Sequence, residues 1–191
     1  MSLNNLLNAT MNLKQEHILI RRIRDIAQRC SERLYCHEDI PFEHLKIISL
    51  VIEEFIDMLH HRKEERVYFP ATGAKKNDRF LEQIYKFMVE HEFSRRIATM
   101  LSAQLASWKN GTISKEPVAR FLKTYALFIT DHTKKEDDFF DLIDERNTIS
   151  NQEHEQILEH FASCVNHAGG KARIDELMKL IEYLEEQDWM K

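Results

Sequence analysis

Hydrophobic side chains recur every three or four residues along most of this 191-residue chain. This spacing places them on one face of an α-helix. Four long segments and two shorter ones near the end of the sequence show it. They are residues 12–34, 42–68, 77–108, 117–144, 151–167 and 171–187. The pattern therefore predicts four long helices followed by two short ones.

The breaks between these segments hold most of the chain's few turn-forming residues. With 4 Gly and 3 Pro, the chain lies far below the roughly 12% of average usage. Pro70 and Gly73 predict a stop after the second helix, and Pro117 suits the first turn of the fourth. Sheet-rich folds need more turn residues than this. Nucleotide-binding folds are excluded as well, because neither GxGxxG nor GxxxxGK[ST] occurs.

Four long helices with short connections pack most simply as an up-down-up-down bundle. We therefore expect an all-α protein whose residues 1–191 form a single domain. Residues 12–145 are predicted to form the four-helix bundle. Residues 150–187 are predicted to form a C-terminal helical extension, packed outside the bundle or lengthening one end.

Composition and charge narrow the setting in which the protein works. The net charge is −5 from 27 basic and 32 acidic residues of interspersed sign, which gives no electrostatic case for nucleic acid. Three cysteines without a CxxC motif fit a reducing compartment better than a disulfide scaffold. No apolar run is long enough to cross a membrane, and Met1–Thr10 lacks the regions of a signal peptide. We expect a cytoplasmic protein with neither a nucleic-acid nor a membrane partner.

The chain has 10 histidines, and two of them begin similar motifs. His60 and Glu64 form an HxxxE motif late in the second predicted helix, and His132 and Glu136 form another late in the fourth. Residues four apart share one face of a helix. A histidine and a carboxylate so placed can bind the same metal ion, or two neighbouring ones, from one rigid element.

The first and third predicted helices each add one histidine on the apolar stripe. Four helices that project ligands inward at a similar depth are how bundles build dinuclear metal sites. Imidazole with some carboxylate suits first-row metals such as iron, manganese or zinc. The predicted ligands are His17, His60, Glu64, His91, His132 and Glu136.

Each of these motifs, taken alone, has a common structural explanation that involves no metal. Only their occurrence together, one on each of the four predicted helices, favours a metal site. One HxxxE is often a surface ion pair, and one histidine on an apolar stripe is often a core residue. His61 and Glu65, one residue off the stripe, are expected to take supporting or surface positions. The remaining histidines are expected on the surface: His37, His44, His154, His160 and His167. Three other site signatures do not match this chain. They are the ExxH pairs of ferritin-like metal sites, the HExxH motif of zinc proteases and the GxSxG motif of nucleophilic hydrolases.

In these residues the chain resembles hemerythrin-like proteins of the HHE cation-binding family. The matching text is Glu16-His17, HHRKEE from His60, Glu90-His91 with Arg95, and HTKKED from His132. The resemblance covers about residues 12–145. It implies a four-helix bundle that encloses a non-haem di-iron centre.

The resemblance also implies roles for individual residues. The four histidines of the predicted set would be terminal ligands, and Glu64 and Glu136 would bridge two irons, with room for an oxo or hydroxo bridge. Oxygen-carrying hemerythrins have a fifth histidine where this chain has Arg95. One iron would then have a coordination position that is open, filled by water or filled by another side chain. Asp137 is the alternative bridging ligand, because those carriers use HxxxxD in the last motif.

The expected function is a di-iron protein that binds or reacts with a small ligand such as O2, H2O2 or NO. It would serve in oxygen or redox sensing, or in defence against oxidative or nitrosative stress, and whether it is an enzyme stays open. One alternative is a non-enzymatic iron or metal sensor that signals through the stability of the bundle or through a protein partner. The other is a bundle without metal whose histidines are structural. A homodimer or a complex with another protein is the expected assembly.

Overall fold

The computed structural model describes residues 8–75, 77–109 and 114–191, and within these ranges the chain is helical with no strand. The six helices are α1 (Ala9–Tyr35), α2 (residues 42–73), α3 (Asp78–Lys109), α4 (Glu116–Glu145), α5 (Asn151–His167) and α6 (Gly170–Glu185). A 3₁₀ turn, Asp188–Met190, follows α6. The all-α prediction is confirmed. The predicted break at Asn110–Gly111, and Met1–Leu7 of the segment assessed for a signal peptide, lie outside the described residues.

Helix α2 differs most from its prediction. It runs through four consecutive stretches: α-helical Phe42–Val51, π-helical Ile52–His61, π-helical Glu64–Tyr68 and α-helical Phe69–Gly73. The helix continues five residues beyond the predicted end of the segment at residue 68, and it stops at Gly73, one of the two residues predicted to end it. Pro70 is the second residue of the last α-helical stretch, directly after the π-helical Glu64–Tyr68.

Local chemistry explains where the other helices begin. The side chain of Asn8 accepts a hydrogen bond from the Met11 amide (2.7 Å) and caps α1. Ser150 and Glu153 form a reciprocal capping box at the start of α5. Gly169 separates α5 from α6 with a φ of 97°, a conformation that costs glycine little.

The four long helices pack side by side around a common interior. Helix α1 contacts α4 and α2, and α3 contacts the same two helices from the other side. Two clusters of buried hydrophobic residues fill this interior. One, the aliphatic cluster, includes Ile20 and Ile129, and the other, the aromatic cluster, includes Leu13 and Phe139. The predicted ligands lie between the two clusters along each helix.

The C-terminal helices pack on the outside of this arrangement. Helices α5 and α6 contact α1 and α2, and α6 buries Leu177, Ile181 and Leu184. In the described parts of the chain, no helix combines the length and apolar character needed to cross a membrane.

Two of the five histidines expected on the surface are buried instead. His37, His160 and His167 are exposed, whereas His44 and His154 are not. The Trp189 indole N–H donates to His44 Nδ1 (2.9 Å), and His44 Nε2 lies 3.0 Å from the Tyr183 hydroxyl. His154 shares the buried face of α5 with Ile157 and Phe161. The expectation was wrong because both histidines are buried where the C-terminal helices pack, and helical periodicity does not predict that packing.

Candidate metal centre

All six predicted ligand side chains are buried and face one another between the two hydrophobic clusters. They are His17, His60, Glu64, His91, His132 and Glu136, each exposed by 1% or less. They come from all four long helices. The structure therefore brings together every residue of the predicted set.

The Glu64 carboxylate lies between histidines of two different helices. Its Oε1 is 3.3 Å from His60 Nε2, and its Oε2 is 3.4 Å from His91 Nε2. Neither oxygen has a hydrogen-bond partner among the described residues. One carboxylate thus points its two oxygens toward two separate imidazoles.

Glu136 makes the corresponding contacts from α4. Its Oε1 is 3.1 Å from His91 Nε2, and its Oε2 is 3.3 Å from both His17 Nε2 and His132 Nε2. A pair of carboxylates that each reach imidazoles on two sides is the donor arrangement that two neighbouring metal ions require.

A fifth histidine points into the same space. His61 is buried, and its ring stacks on that of His91 with centroids 3.9 Å apart. The surface position considered for His61 is wrong. The i→i+5 hydrogen bonds of a π-helix add a residue to the turn, and the adjacent His60 and His61 both face inward. The doublet of histidines was the only sequence signal for this residue.

The ligand atoms form two groups, each within 4.8 Å. One group is His61, His91 and His132, and the other is His17, His60, Glu64 and Glu136. The three imidazoles of the first group, and the two imidazoles with two carboxylates of the second, are each enough to hold one first-row metal ion.

Each of the five imidazoles has a carboxylate behind its Nδ1; the contact of His61 with Asp57 is the longest at 3.5 Å, and the other four are 3.0 Å or shorter. These four Nδ1 pairs are His17 with Asp137 (2.8 Å), His60 with Glu16 (3.0 Å), His91 with Glu65 (2.9 Å) and His132 with Glu90 (2.7 Å). An ionised carboxylate can only accept, so Nδ1 carries the proton and the Nε2 lone pair points inward. Metal-ligating histidines in proteins are oriented in this way.

Each of these carboxylates is in turn paired with a cation. The pairs are Asp137 with Arg21, Glu16 with Lys63, Glu65 with Arg95 and Glu90 with Lys135. The positive charges keep the carboxylates ionised. The ionised carboxylates therefore hold each imidazole in one orientation, with Nδ1–H toward the carboxylate and Nε2 directed inward.

The charges inside the centre shift the pKa values of its groups. Burial disfavours protonated His60, but the neighbouring Glu64 and Glu16 carboxylates raise its pKa to about 10. Burial also opposes protonation of His91, yet Glu136 and Glu65 raise its pKa to about 9. His61 behaves oppositely, since burial and the nearby imidazoles of other histidines lower its pKa well below the usual value. His61 is therefore neutral at pH 7, the form that binds metals.

Four buried polar atoms of the centre have no hydrogen-bond partner within the described chain: Glu64 Oε1, Glu64 Oε2, His132 Nε2 and Glu136 Oε2. Each such atom costs about 1–3 kcal/mol, and cations between them would satisfy all four. His17 Nε2 and His60 Nε2 also face each other at 3.1 Å. Two ligand atoms about 2.1 Å from one ion lie about 3.0 Å apart at a right angle and about 3.4 Å apart at the tetrahedral angle. The observed separations match this range, so the residues fit a metal centre.

A family model that describes the hemerythrin HHE cation-binding domain matches residues 8–143. This chain belongs to the hemerythrin HHE cation-binding family. The match spans α1 to α4 and nearly all of their length, whereas α5 and α6 lie beyond it. No curated protein and no solved structure matches the chain. Family membership implies metal binding, and the two groups of buried ligand atoms could hold the metal.

Within this HHE domain, two residues left open by the sequence take supporting positions. Arg95 donates to Glu65 (2.9 Å) and Asp57 (3.0 Å), so its guanidinium lies behind His91. Asp137 likewise lies behind His17 and pairs with Arg21. The geometry favours Glu136 over Asp137 as the inward carboxylate.

Aromatic rings line the outside of the HHE centre. Phe140 stacks on His17 with ring centroids 5.7 Å apart, and Phe128 stacks on His132 at 5.1 Å. Phe69 covers His91 at 5.9 Å. These apolar walls limit access by bulk water and raise the energetic importance of every charge inside.

Proposed function

We propose that this protein is a cytoplasmic non-haem di-iron protein that binds or reacts with a small ligand such as O2, H2O2 or NO. Its role would be oxygen or redox sensing, or defence against oxidative or nitrosative stress. We further propose that α1 to α4 form an up-down-up-down bundle around the irons. The supporting observation is the set of four unpartnered atoms of Glu64, His132 and Glu136, buried among five inward imidazoles.

The two groups of ligand atoms suggest how the irons would be shared. His61, His91 and His132 would hold one ion, and His17 and His60 would hold the other. Glu64 and Glu136 would lie between the ions, because each carboxylate reaches imidazoles of both groups. In this assignment His61 supplies the fifth imidazole that oxygen carriers place at the position of Arg95.

Iron bound here would supply one-electron redox chemistry and coordination positions for a small ligand. The protein would control which ligands reach it. One group has three imidazoles and the other two, so the second group leaves more room for an external ligand. The burial of every ligand side chain and the rings of Phe128 and Phe140 favour small molecules over large substrates.

One observation favours metal sensing as a second candidate function. The ligand side chains come from four different helices, and three of them, Glu64, His132 and Glu136, carry the four buried atoms that a cation would satisfy. Metal binding would therefore link the helices, and metal loss would loosen them. A partner could recognise that difference without any redox reaction at the centre.

Optical spectra of the anaerobic Fe(II) protein, recorded before and after O2 and then peroxide, test the proposal. A band that disappears on removal of O2 supports ligand binding, and irreversible oxidation with peroxide consumption supports an enzyme. Bound iron with an unchanged spectrum favours the sensor. The same experiment on Glu136→Gln should give no iron-dependent band, whereas Glu145→Gln, at the exposed end of α4, should match wild type. A wild-type protein that takes up no iron would contradict both functions.

A further inference from the structure

Helix α3 carries apolar side chains on its outer face as well as on its inner one. The inner face buries Phe80, Phe87 and Leu101 beside His91. The exposed apolar residues are Leu81, Tyr85, Met88, Val89, Phe93 and Met100, between 36% and 70% exposed. Single exposed apolar residues are ordinary, but six along one helix face indicate a surface that binds another protein.

The charged residues of this outer face form two ion pairs along the helix. Glu82 Oε1 accepts from Lys86 Nζ (2.7 Å), and Glu92 Oε1 accepts from Arg96 Nε (3.0 Å). All four side chains are more than half exposed. They lie beside the apolar residues, and because they are exposed, their charges are accessible to a partner protein as well.

The outer face is antisymmetric in charge about Val89. Glu82 lies seven residues before Val89, and Arg96 lies seven residues after it. Lys86 lies three residues before, and Glu92 three residues after. In each of these two pairs of equidistant positions, the two residues carry opposite charges.

The aromatic residues follow the same symmetry. Tyr85 lies four residues before Val89 and Phe93 four residues after it. These positions continue the spacing of about 3.5 residues that the seam of two packed helices requires.

We propose that α3 pairs with α3 of a second copy of this chain, antiparallel, about a twofold axis at Val89. Glu82 would then face Arg96 of the second copy, and Lys86 would face Glu92. Tyr85 would pack against Phe93, and each contact would occur twice, as in any isologous interface. Parallel pairing would instead place Glu82 against Glu82 and Lys86 against Lys86. The charge order therefore selects both the antiparallel direction and an identical partner.

The size and chemistry of the face suit a dimer. Helix α3 has 32 residues, a length of roughly 48 Å at 1.5 Å per residue. Aromatic residues at the centre and charged residues at the rim are typical of protein interfaces. Exposed ion pairs contribute little free energy, so the apolar residues would supply the affinity and the charges the orientation. The inner face with His91 would remain inside its own bundle.

Charge reversal tests the proposal in the full-length protein by sedimentation equilibrium. The wild type should show a dimer of twice 22.8 kDa. Glu82→Lys places a like charge opposite Arg96 on both sides of the axis, and we expect the dimer to weaken at least tenfold. Adding Arg96→Glu restores opposite charges and should restore the dimer. Glu155→Lys, an exposed change on α5, is the matched control and should leave it intact.

Cross-linking checks the register independently. In a Cys36→Ser background, which removes the exposed cysteine, Val89→Cys should form a disulfide between copies with oxidised glutathione as the oxidant. Ile18→Cys on α1, similarly exposed, should not. A protein that stays monomeric at all concentrations would overturn the proposal. A dimer insensitive to Glu82→Lys, or one that Val89→Cys does not cross-link, would also overturn it.

Discussion

At the scale of single residues, the centre depends on side chains that never point into it. His132 is a clear case, because Glu90 accepts its Nδ1 proton at 2.7 Å and Lys135 pairs with the same carboxylate. The surrounding charges keep the pKa of Glu90 below its usual range. The carboxylate is therefore ionised and holds the imidazole in one tautomer.

Replacing this carboxylate should weaken metal binding without unfolding the protein. In Glu90→Gln the amide is a weaker acceptor than the carboxylate, and its NH2 group can face Nδ1 instead. We expect metal affinity to fall about 10–100-fold, the usual cost of losing such a partner. Competition with a chromophoric chelator measures it. Glu92→Gln, an exposed change two residues along the same helix, should have no effect. Equal affinities in both variants would contradict a positioning role for Glu90.

Sequence reasoning identified six inward side chains but not the seventh. The order of His17, the two HxxxE motifs and His91 sufficed because residues four apart share a face in any helix. The inward position of His61 depends on the π turns of α2, a backbone feature that hydrophobic periodicity does not encode. The ligand roles of all seven residues stay predictions.

At the scale of elements, helix positions followed from the sequence and the tertiary contacts of the C-terminal turn did not. The predicted segments agree with the observed helices to within a few residues, except at the end of α2. The burial of His44 under Trp189 and Tyr183 was missed, since these residues are far apart in sequence and no short-range pattern links them.

This contact predicts that the C-terminal turn detaches at acid pH. Burial lowers the pKa of His44 below its ordinary value, which is about 6.5. Only neutral His44 can accept the Trp189 N–H. The detached turn therefore binds more protons than the attached one, and attachment is strongest above pH 6.5 and is lost as pH falls below it.

Trp189 fluorescence in a Trp108→Phe background measures the detachment. We expect a red shift between pH 7.5 and 5.5. His44→Gln cannot titrate and should give no shift in that range. A shift of equal size in both proteins would show that another group is responsible.

At the scale of the whole molecule, periodicity separated helices from connections but could not orient α3. A helix that is apolar on both faces presents two possible stripes. Which stripe is buried follows from the contacts with α2 and α4, and the second stripe becomes visible only once the first is packed. The composition, by contrast, predicted the helical class because few glycines and prolines leave few places for a turn.

The central claim is that one chain holds two irons between its four long helices. Iron content after anaerobic Fe(II) loading and desalting tests it most directly. We predict about two irons per wild-type chain, a fall toward one in His61→Ala, and no change in the exposed-histidine control His160→Ala. Fewer than about two-thirds of an iron per wild-type chain, or a His61→Ala protein that loads like wild type, would contradict the account.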